Sequence, residues 1–180
     1  MCGLLGMLAA TGDVDKYVDA LERSLPCMRH RGPDAAGTWH DGDAAFGFNR
    51  LSIIDLEHSH QPLRWGPEDQ PDRYAMTFNG EIYNYVELRE ELKGLGYTFH
   101  TEGDGEPIVV GYHHWGKDVV NHLRGMFGIV IWDTHTKTMF AARDQFGIKP
   151  LYYATTDAGT VFASEMKCIL EMADEIGLEL

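Results

Sequence analysis

Basic residues are scarce. The chain carries 15 Lys and Arg against 28 Asp and Glu, a formal net charge of -13. Phosphate backbones are gripped by clustered Lys and Arg. No such cluster occurs, which argues against nucleic acid as a main partner. Long apolar runs are missing too: none approaches the roughly 20 residues that span a bilayer, so no membrane partner is expected. The first residues lack a basic segment followed by a long apolar stretch, so no secretory signal is read. Cysteine is sparse, with Cys2, Cys27 and Cys168 and no CxxC pair. An odd, unpaired set fits reduced thiols, and a cytoplasmic location is expected. Cys27 (LPCMR) and Cys168 (KCILEM) sit in apolar, helix-like surroundings and read as small buried hydrophobes. The histidine pairs His58/His60 and His113/His114 are spaced so that neither puts two imidazoles on one helical face. With no thiolate nearby, no metal is expected.

What is present suits one globular domain with a sizeable core: 180 residues, 44% hydrophobic and 24% charged. CGLLGML reads as a short apolar strand, and residues 14–28 as a helix that Pro26 ends. Gly32-Pro33-Asp34 signals a turn. AAFGFNRLSII is a strand pair or a bent strand, and residues 57–73, polar and proline-bearing, read as a long surface loop. The strand YAMTF runs into Asn79-Gly80, which suits a tight turn. Helices are predicted over 86–93 and 107–123, the second starting at a Gly-Glu-Pro signal. The last third is strands (GMFGIVIWD, TMFAARD, LYYAT, TVFAS) closed by a helix in SEMKCILEMA. FGIVIW is apolar on both faces, so a central, doubly covered strand is expected. Strands and helices in separate blocks indicate α+β, with sheets packed together and helices outside.

Four places could carry chemistry. Cys2 could be an accident, a strand residue or a nucleophile; if Met1 is removed, its thiol gains an α-amine that titrates near 8. Nucleophile and base would then share one residue, as in threonine hydrolases. Phe78-Asn79-Gly80-Glu81 could be only a hairpin turn, the reading its pattern favours, or could aim an amide and a bare N–H at one point, as an oxyanion needs. Arg50 lies in an apolar stretch, where burial requires a carboxylate partner from the protein or a ligand. Asp104, between two glycines, is either a helix cap or a carboxylate directed at an ammonium group.

MCGLLG, RHRGPDAAGTW, FGFNRLSIIDL, QPL, FNGEIYNYVELREEL, GDGEPIV, LRGMFGIVIWD and ARDQFGIKPLYY follow in this order. Together they strongly resemble the glutaminase domain of glutamine-dependent asparagine synthetases, class II glutamine amidotransferases of the N-terminal-nucleophile hydrolases. The resemblance runs from Cys2 to about Lys167, and RGPD and NGEIYN are its most discriminating words. It implies a four-layer αββα sandwich of two antiparallel sheets flanked by helices. It makes Cys2 the nucleophile and the Asn79 amide with the Gly80 N–H the oxyanion hole. Arg50 would hold the α-carboxylate of glutamine, Glu81 and Asp104 its α-ammonium, and backbone around Leu51 to Ile53 would frame it. Arg31 would support the site from its mouth. No cofactor is implied in this chain. ATP and Mg²⁺ belong to a C-terminal synthetase domain whose Ser-Gly-Gly-rich loop does not occur here, so residues 1–180 read as a single glutaminase domain. The partners implied are glutamine and that synthetase domain, with pairing of two copies left open. Two alternatives remain: a sibling amidotransferase with another acceptor, and a degenerate, non-catalytic scaffold. The second would show loss of Cys2, Arg50, Asn79 or Asp104, and all are in place.

Overall fold

A segment such as GLLGMLA has no polar face, so it is stable only where both of its faces are covered. The computed structural model, which describes residues 1–52 and 60–179, places it in such a position. Strand β1 (Gly3–Ala9) lies between β3 (Ala44–Arg50) and β9 (Gly159–Ala163). With β2 (Ala35–His40) and β8 (Tyr152–Thr156) at the edges, they form a sheet in the order β2-β3-β1-β9-β8. A second sheet has the order β4-β5-β6-β7, from β4 (Leu63–Trp65), β5 (Tyr74–Ile82), β6 (Gly125–Asp133) and β7 (Thr138–Arg143). All the pairings are antiparallel.

Alternation along the central strands builds the layers. Leu4 of β1 faces the second sheet, packing with Phe46, Phe48, Ala75, Val130 and Trp132. Its neighbours Leu5 and Met7 face the other way, onto α1 (Asp15–Ser24), α4 (Met166–Leu170) and α5 (Ala173–Ile176), through Leu21, Ile169 and Ile176. In β6, Val130 and Trp132 point between the sheets, while Ile129 and Ile131 meet α2 (Tyr85–Gly94) and α3 (Glu106–Trp115). The result is helices, sheet, sheet, helices: the four-layer αββα sandwich. FGIVIW is the doubly covered strand that its composition demands.

The structure departs from the sequence pattern where local chemistry breaks a period. The first helix stops at Ser24 rather than Met28, and a 3-10 helix spans Leu25–Arg31. Pro26 supplies no N–H and begins that tighter turn. The helix expected to run to residue 123 ends at Trp115, because Gly116 takes φ 60, and a 3-10 helix, Gly116–Asn121, follows. The helix within SEMKCILEMA stops at Leu170, and a second short helix starts at Ala173, the last residue of that stretch. The polar stretch 57–73 is not all loop: Leu63 and Trp65 are buried, and the strand β4 that carries them pairs with β5. Asn79-Gly80 is no hairpin turn. Strand β5 runs straight through it, pairing Asn79 with Gly128 and Gly80 with Phe127.

One partly buried ion pair ties the far end of the second sheet. Asp133 receives Arg73 Nε at 3.0 Å and Nη2 at 2.7 Å, together with the N–H of His135 at 2.9 Å and of Thr136 at 3.2 Å. Burial alone would push this carboxyl up, but the Arg73 guanidinium and the two amides outweigh it and hold it below its ordinary value. A depressed folded value means that the pair stabilises the fold above the unfolded carboxylate range, near 3.9. That stability is lost as pH falls through the folded value. Asp133→Asn should therefore cost about 1–2 kcal/mol at neutral pH, since the charged acceptor of a partly buried, bidentate pair is removed and solvent screens what remains. Urea unfolding at pH 7 and pH 3 should show that deficit shrinking in acid; a deficit independent of pH would contradict this role.

Candidate functional site

The residues just before β1, the end of β3, the second half of β5 and the turn before α3 converge at one end of the sandwich. They enclose a cavity of about 110 Å³ whose walls include Cys2, Arg50, Leu51, Asn79, Gly80, Glu81 and Asp104. The described residues expected to serve as nucleophile, oxyanion donors and substrate-binding groups thus meet at one place, while Arg31 lies outside the cavity lining and reaches the Cys2 carbonyl. Ile53 lies outside the described residues. The cavity also takes in Met1, Gln61, Phe78 and Lys149.

Cys2 is held from two sides. Its Sγ lies 3.4 Å from the Leu51 N–H, which donates to it, and 3.6 Å from the Leu51 carbonyl. Arg31 Nε donates to the Cys2 carbonyl at 3.0 Å. Arg31 reaches that position because Gly32 lies flat on β3, where a Cβ would stand 2.3 Å from the Asn49 carbonyl oxygen. On its other side Arg31 meets Glu165 at 3.3 Å, and Glu165 also contacts His30 and Lys167, each at 2.8 Å. Burial would raise the Glu165 carboxyl; the bonds from Lys167 and Arg31 and the charge of His30 bring it below its usual value. Next to it, Ser164 takes both backbone groups of Leu4: Oγ accepts the N–H at 3.0 Å, and its own N–H donates to the carbonyl at 2.9 Å. Burial pushes the Cys2 thiol above its ordinary value. The Leu51 N–H, the terminal ammonium and Arg50 pull against that rise, and Asp104 adds to it. The resting sulfur is therefore a thiol that needs a base, which fits a nucleophile activated by its own α-amine.

Opposite it, Asn79 is 1% exposed, and its Nδ2 has no hydrogen-bond partner among the described residues. A buried donor left open costs free energy unless something completes it. The edge of β5 supplies a second donor. In an antiparallel strand alternate residues turn their N–H to the same side. The N–H of Phe78 goes to Gln61 Oε1 at 2.6 Å and that of Ile82 to Asp104 Oδ2 at 3.0 Å. The N–H of Gly80, between them, faces the same edge, where β4 has already ended and the cavity begins. Glycine is required there for packing: a Cβ at Gly80 would stand 2.1 Å from the Met126 carbonyl oxygen. Two donors thus converge beside Cys2, the arrangement that stabilises a tetrahedral oxyanion.

Arg50, buried at the end of β3, and the carboxylates Glu81 and Asp104 supply opposite charges on the remaining wall. Burial pushes the Asp104 carboxyl up, the Ile82 N–H draws it down, and nearby Glu81 raises it further. A carboxylate kept in that state gains most from a cationic partner. Two wall residues, Gln61 and Lys149, are absent from the sequence-derived set. Their only signal is membership of QPL and FGIKP, words that carry no chemistry by themselves. The histidines His113 and His114 are elsewhere, bonded at 3.0 Å to Tyr74 and Tyr97 on the outer side of the second sheet. His58 lies outside the described residues.

Because Asp104 raises the Cys2 thiol, Asp104→Asn should lower it and speed alkylation. Iodoacetamide labelling of the Cys2 peptide, followed by mass spectrometry across pH, should move to lower pH in the variant. An unmoved or upward-shifted profile would show that the two groups do not sense each other.

A family model described as a glutamine amidotransferase domain matches residues 1–178. A Mycobacterium tuberculosis protein bearing the name asparagine synthetase [glutamine-hydrolyzing] is 55% identical over 190 aligned positions, covering 99% of this chain and 29% of its own length. The Bacillus subtilis protein asparagine synthetase [glutamine-hydrolyzing] 1 is 42% identical, covering 99% of this chain and 28% of its own length. The chain therefore spans less than a third of the curated relatives it matches. Among solved structures, the glutamine phosphoribosylpyrophosphate amidotransferase of B. subtilis, complexed with ADP and GMP, superposes with a TM-score of 0.70 at 21% identity. That match covers 98% of this chain and 44% of the other, and it shows a shared fold. A thiol in need of a base, facing two convergent donors on this scaffold, is in keeping with the sequence match: the chain belongs to the glutamine amidotransferase domain family.

Proposed function

We propose that this domain hydrolyses glutamine to glutamate and ammonia through a thioester on Cys2. We propose further that the ammonia amidates an adenylated aspartate in the remainder of a longer protein, giving asparagine. The observation that carries the first step is the open Asn79 amide beside the Gly80 N–H, both facing the nucleophile's cavity. The second step is supported by relatives that bear the name asparagine synthetase.

The chemistry follows from the groups present. With Met1 removed, the Cys2 α-amine takes the thiol proton, and the sulfur attacks the side-chain carbonyl carbon of glutamine. The carbonyl oxygen becomes an oxyanion and gains bonds from Asn79 Nδ2 and the Gly80 N–H. The ammonium formed on Cys2 returns its proton to the departing nitrogen, which leaves as ammonia. A γ-glutamyl thioester remains. Water, losing a proton to the same amine, attacks it and releases glutamate. Arg50 pairs with the α-carboxylate, and Glu81 and Asp104 with the α-ammonium. The substrate is thereby held by charges that do not take part in bond breaking. Met1, half-exposed and lining the cavity, occupies part of that space while it is attached.

Two outcomes are expected. Intact mass should distinguish chains that begin at Met1 from those that begin at Cys2, and only the latter should release glutamate. Release from a Met1-bearing chain, or equal release from Cys2→Ala, would sink the proposal. Arg50→Leu should raise the KM for glutamine by at least about 30-fold, the loss expected when one half of a buried charge pair is truncated. Steady-state kinetics check this, and an unchanged KM would remove Arg50 from the substrate site.

A further inference from the structure

Gln61 stands two residues before β4, and it meets β5 with its side chain. Its Oε1 accepts the Phe78 N–H at 2.6 Å, and its Nε2 donates to the Phe78 carbonyl at 3.0 Å. In the backbone ladder β4 pairs Leu63 with Met76, so Phe78 is where the next rung on that edge would form. A carboxamide offers the same acceptor and donor as a peptide group. Gln61 therefore completes that rung with a side chain and leaves room beyond it. The next N–H on the edge, that of Gly80, opens into the cavity, and the one after it is taken by Asp104. The backbone of Gln61 rests in turn on the first sheet: a Cβ on Gly37 would stand 2.6 Å from the Gln61 carbonyl oxygen.

The consequence is geometric. Gly80 carries no side chain to anchor it, yet its N–H must be aimed at one point. It is flanked on the same edge by two residues whose N–H groups are fixed, Phe78 by Gln61 and Ile82 by Asp104. If the Gln61 amide were lost, Phe78 would present an open N–H and an open carbonyl on the cavity wall, two residues from the oxyanion site. The donor would be free to shift, and a rival donor would appear beside it.

We propose that Gln61 is a positioning residue for the oxyanion hole, acting through Phe78 on the direction of the Gly80 N–H. This rests on reading the site as a glutaminase. Because an oxyanion exists only after attack, the effect falls on kcat and spares KM. Gln61→Met keeps the length of the side chain and removes both bonds. It should lower kcat about 10²-fold, the scale of a displacement of about 1 Å at a reacting centre, while KM stays near that of the parent; the midpoint of thermal unfolding falls as well, because the Phe78 N–H and carbonyl lose their partners. Affinity for glutamate γ-semialdehyde, whose adduct with a thiol carries the tetrahedral oxygen, should fall in step with kcat. Gln61→Glu adds a signature that loss of packing would not give. As an ionised carboxylate it repels the Phe78 carbonyl; as a neutral acid it again offers one acceptor and one donor. Its activity relative to the parent should therefore rise as pH falls. An undiminished kcat in Gln61→Met, an unchanged semialdehyde affinity, or a relative activity of Gln61→Glu independent of pH overturns the role of Gln61. Absence of glutamate release from the parent chain that begins at Cys2 overturns the glutaminase reading, and the role of Gln61 with it.

Discussion

Everything at the site depends on β1 being buried on both faces. Leu4, Leu5 and Met7 are fully buried, and burial of such side chains stabilises by about 1.5–3 kcal/mol each. A strand fixed in this way cannot slide by one residue, because a slip would turn Leu4 toward the helices and Leu5 toward the second sheet. Cys2 precedes it directly and inherits that register. The nucleophile is thus located by the core, and the groups that hold it from outside, Leu51 and Arg31, have only to orient it.

The same economy governs the second sheet. Strand β6, covered on both sides, lets β5 approach so closely that only glycine fits at position 80. That tight pairing on one edge of β5 contrasts with its other edge, where β4 is short and the ladder stops. The oxyanion donors arise at this boundary between a completed and an interrupted ladder. The wider charge pattern works against the site's chemistry: the chain carries -13 overall, yet Arg31 and Arg50 are both close to the nucleophile. Local cations are needed because a buried thiol amid acidic surroundings would otherwise be harder to ionise.

Much of this was legible in the sequence, though unevenly. The apolar runs GLLGML and FGIVIW show their double burial by having no polar face at all. Cys2, Arg50 and Asp104 each stand out as a residue type at odds with its surroundings, and such conflicts mark functional positions. Asn79-Gly80 misled on pattern, because a dipeptide that suits a turn also suits a strand pressed against its neighbour. Only the pairing with Gly128 and Phe127 decides between the two. Pro26 marked the end of the first helix to within two residues, whereas the end at Trp115 was missed because the helical pattern was read on past Gly116. Gln61 was invisible for a different reason: its role is a side-chain rung to a residue 17 positions away, and no local pattern encodes that.

The bonds between Leu4 and Ser164 have a meaning in time as well as in space. They join residues separated by 160 positions, and β1 gains its second neighbour only when β9 pairs Leu5 with Ala163. Contacts so distant in the chain form late, since a long loop must close before they are rewarded. During synthesis the segment behind Cys2 leaves the ribosome first, yet it acquires both of its strand neighbours only after nearly the whole domain has followed. The nucleophile is made well before the strands that hold it, and it is among the last residues to be set.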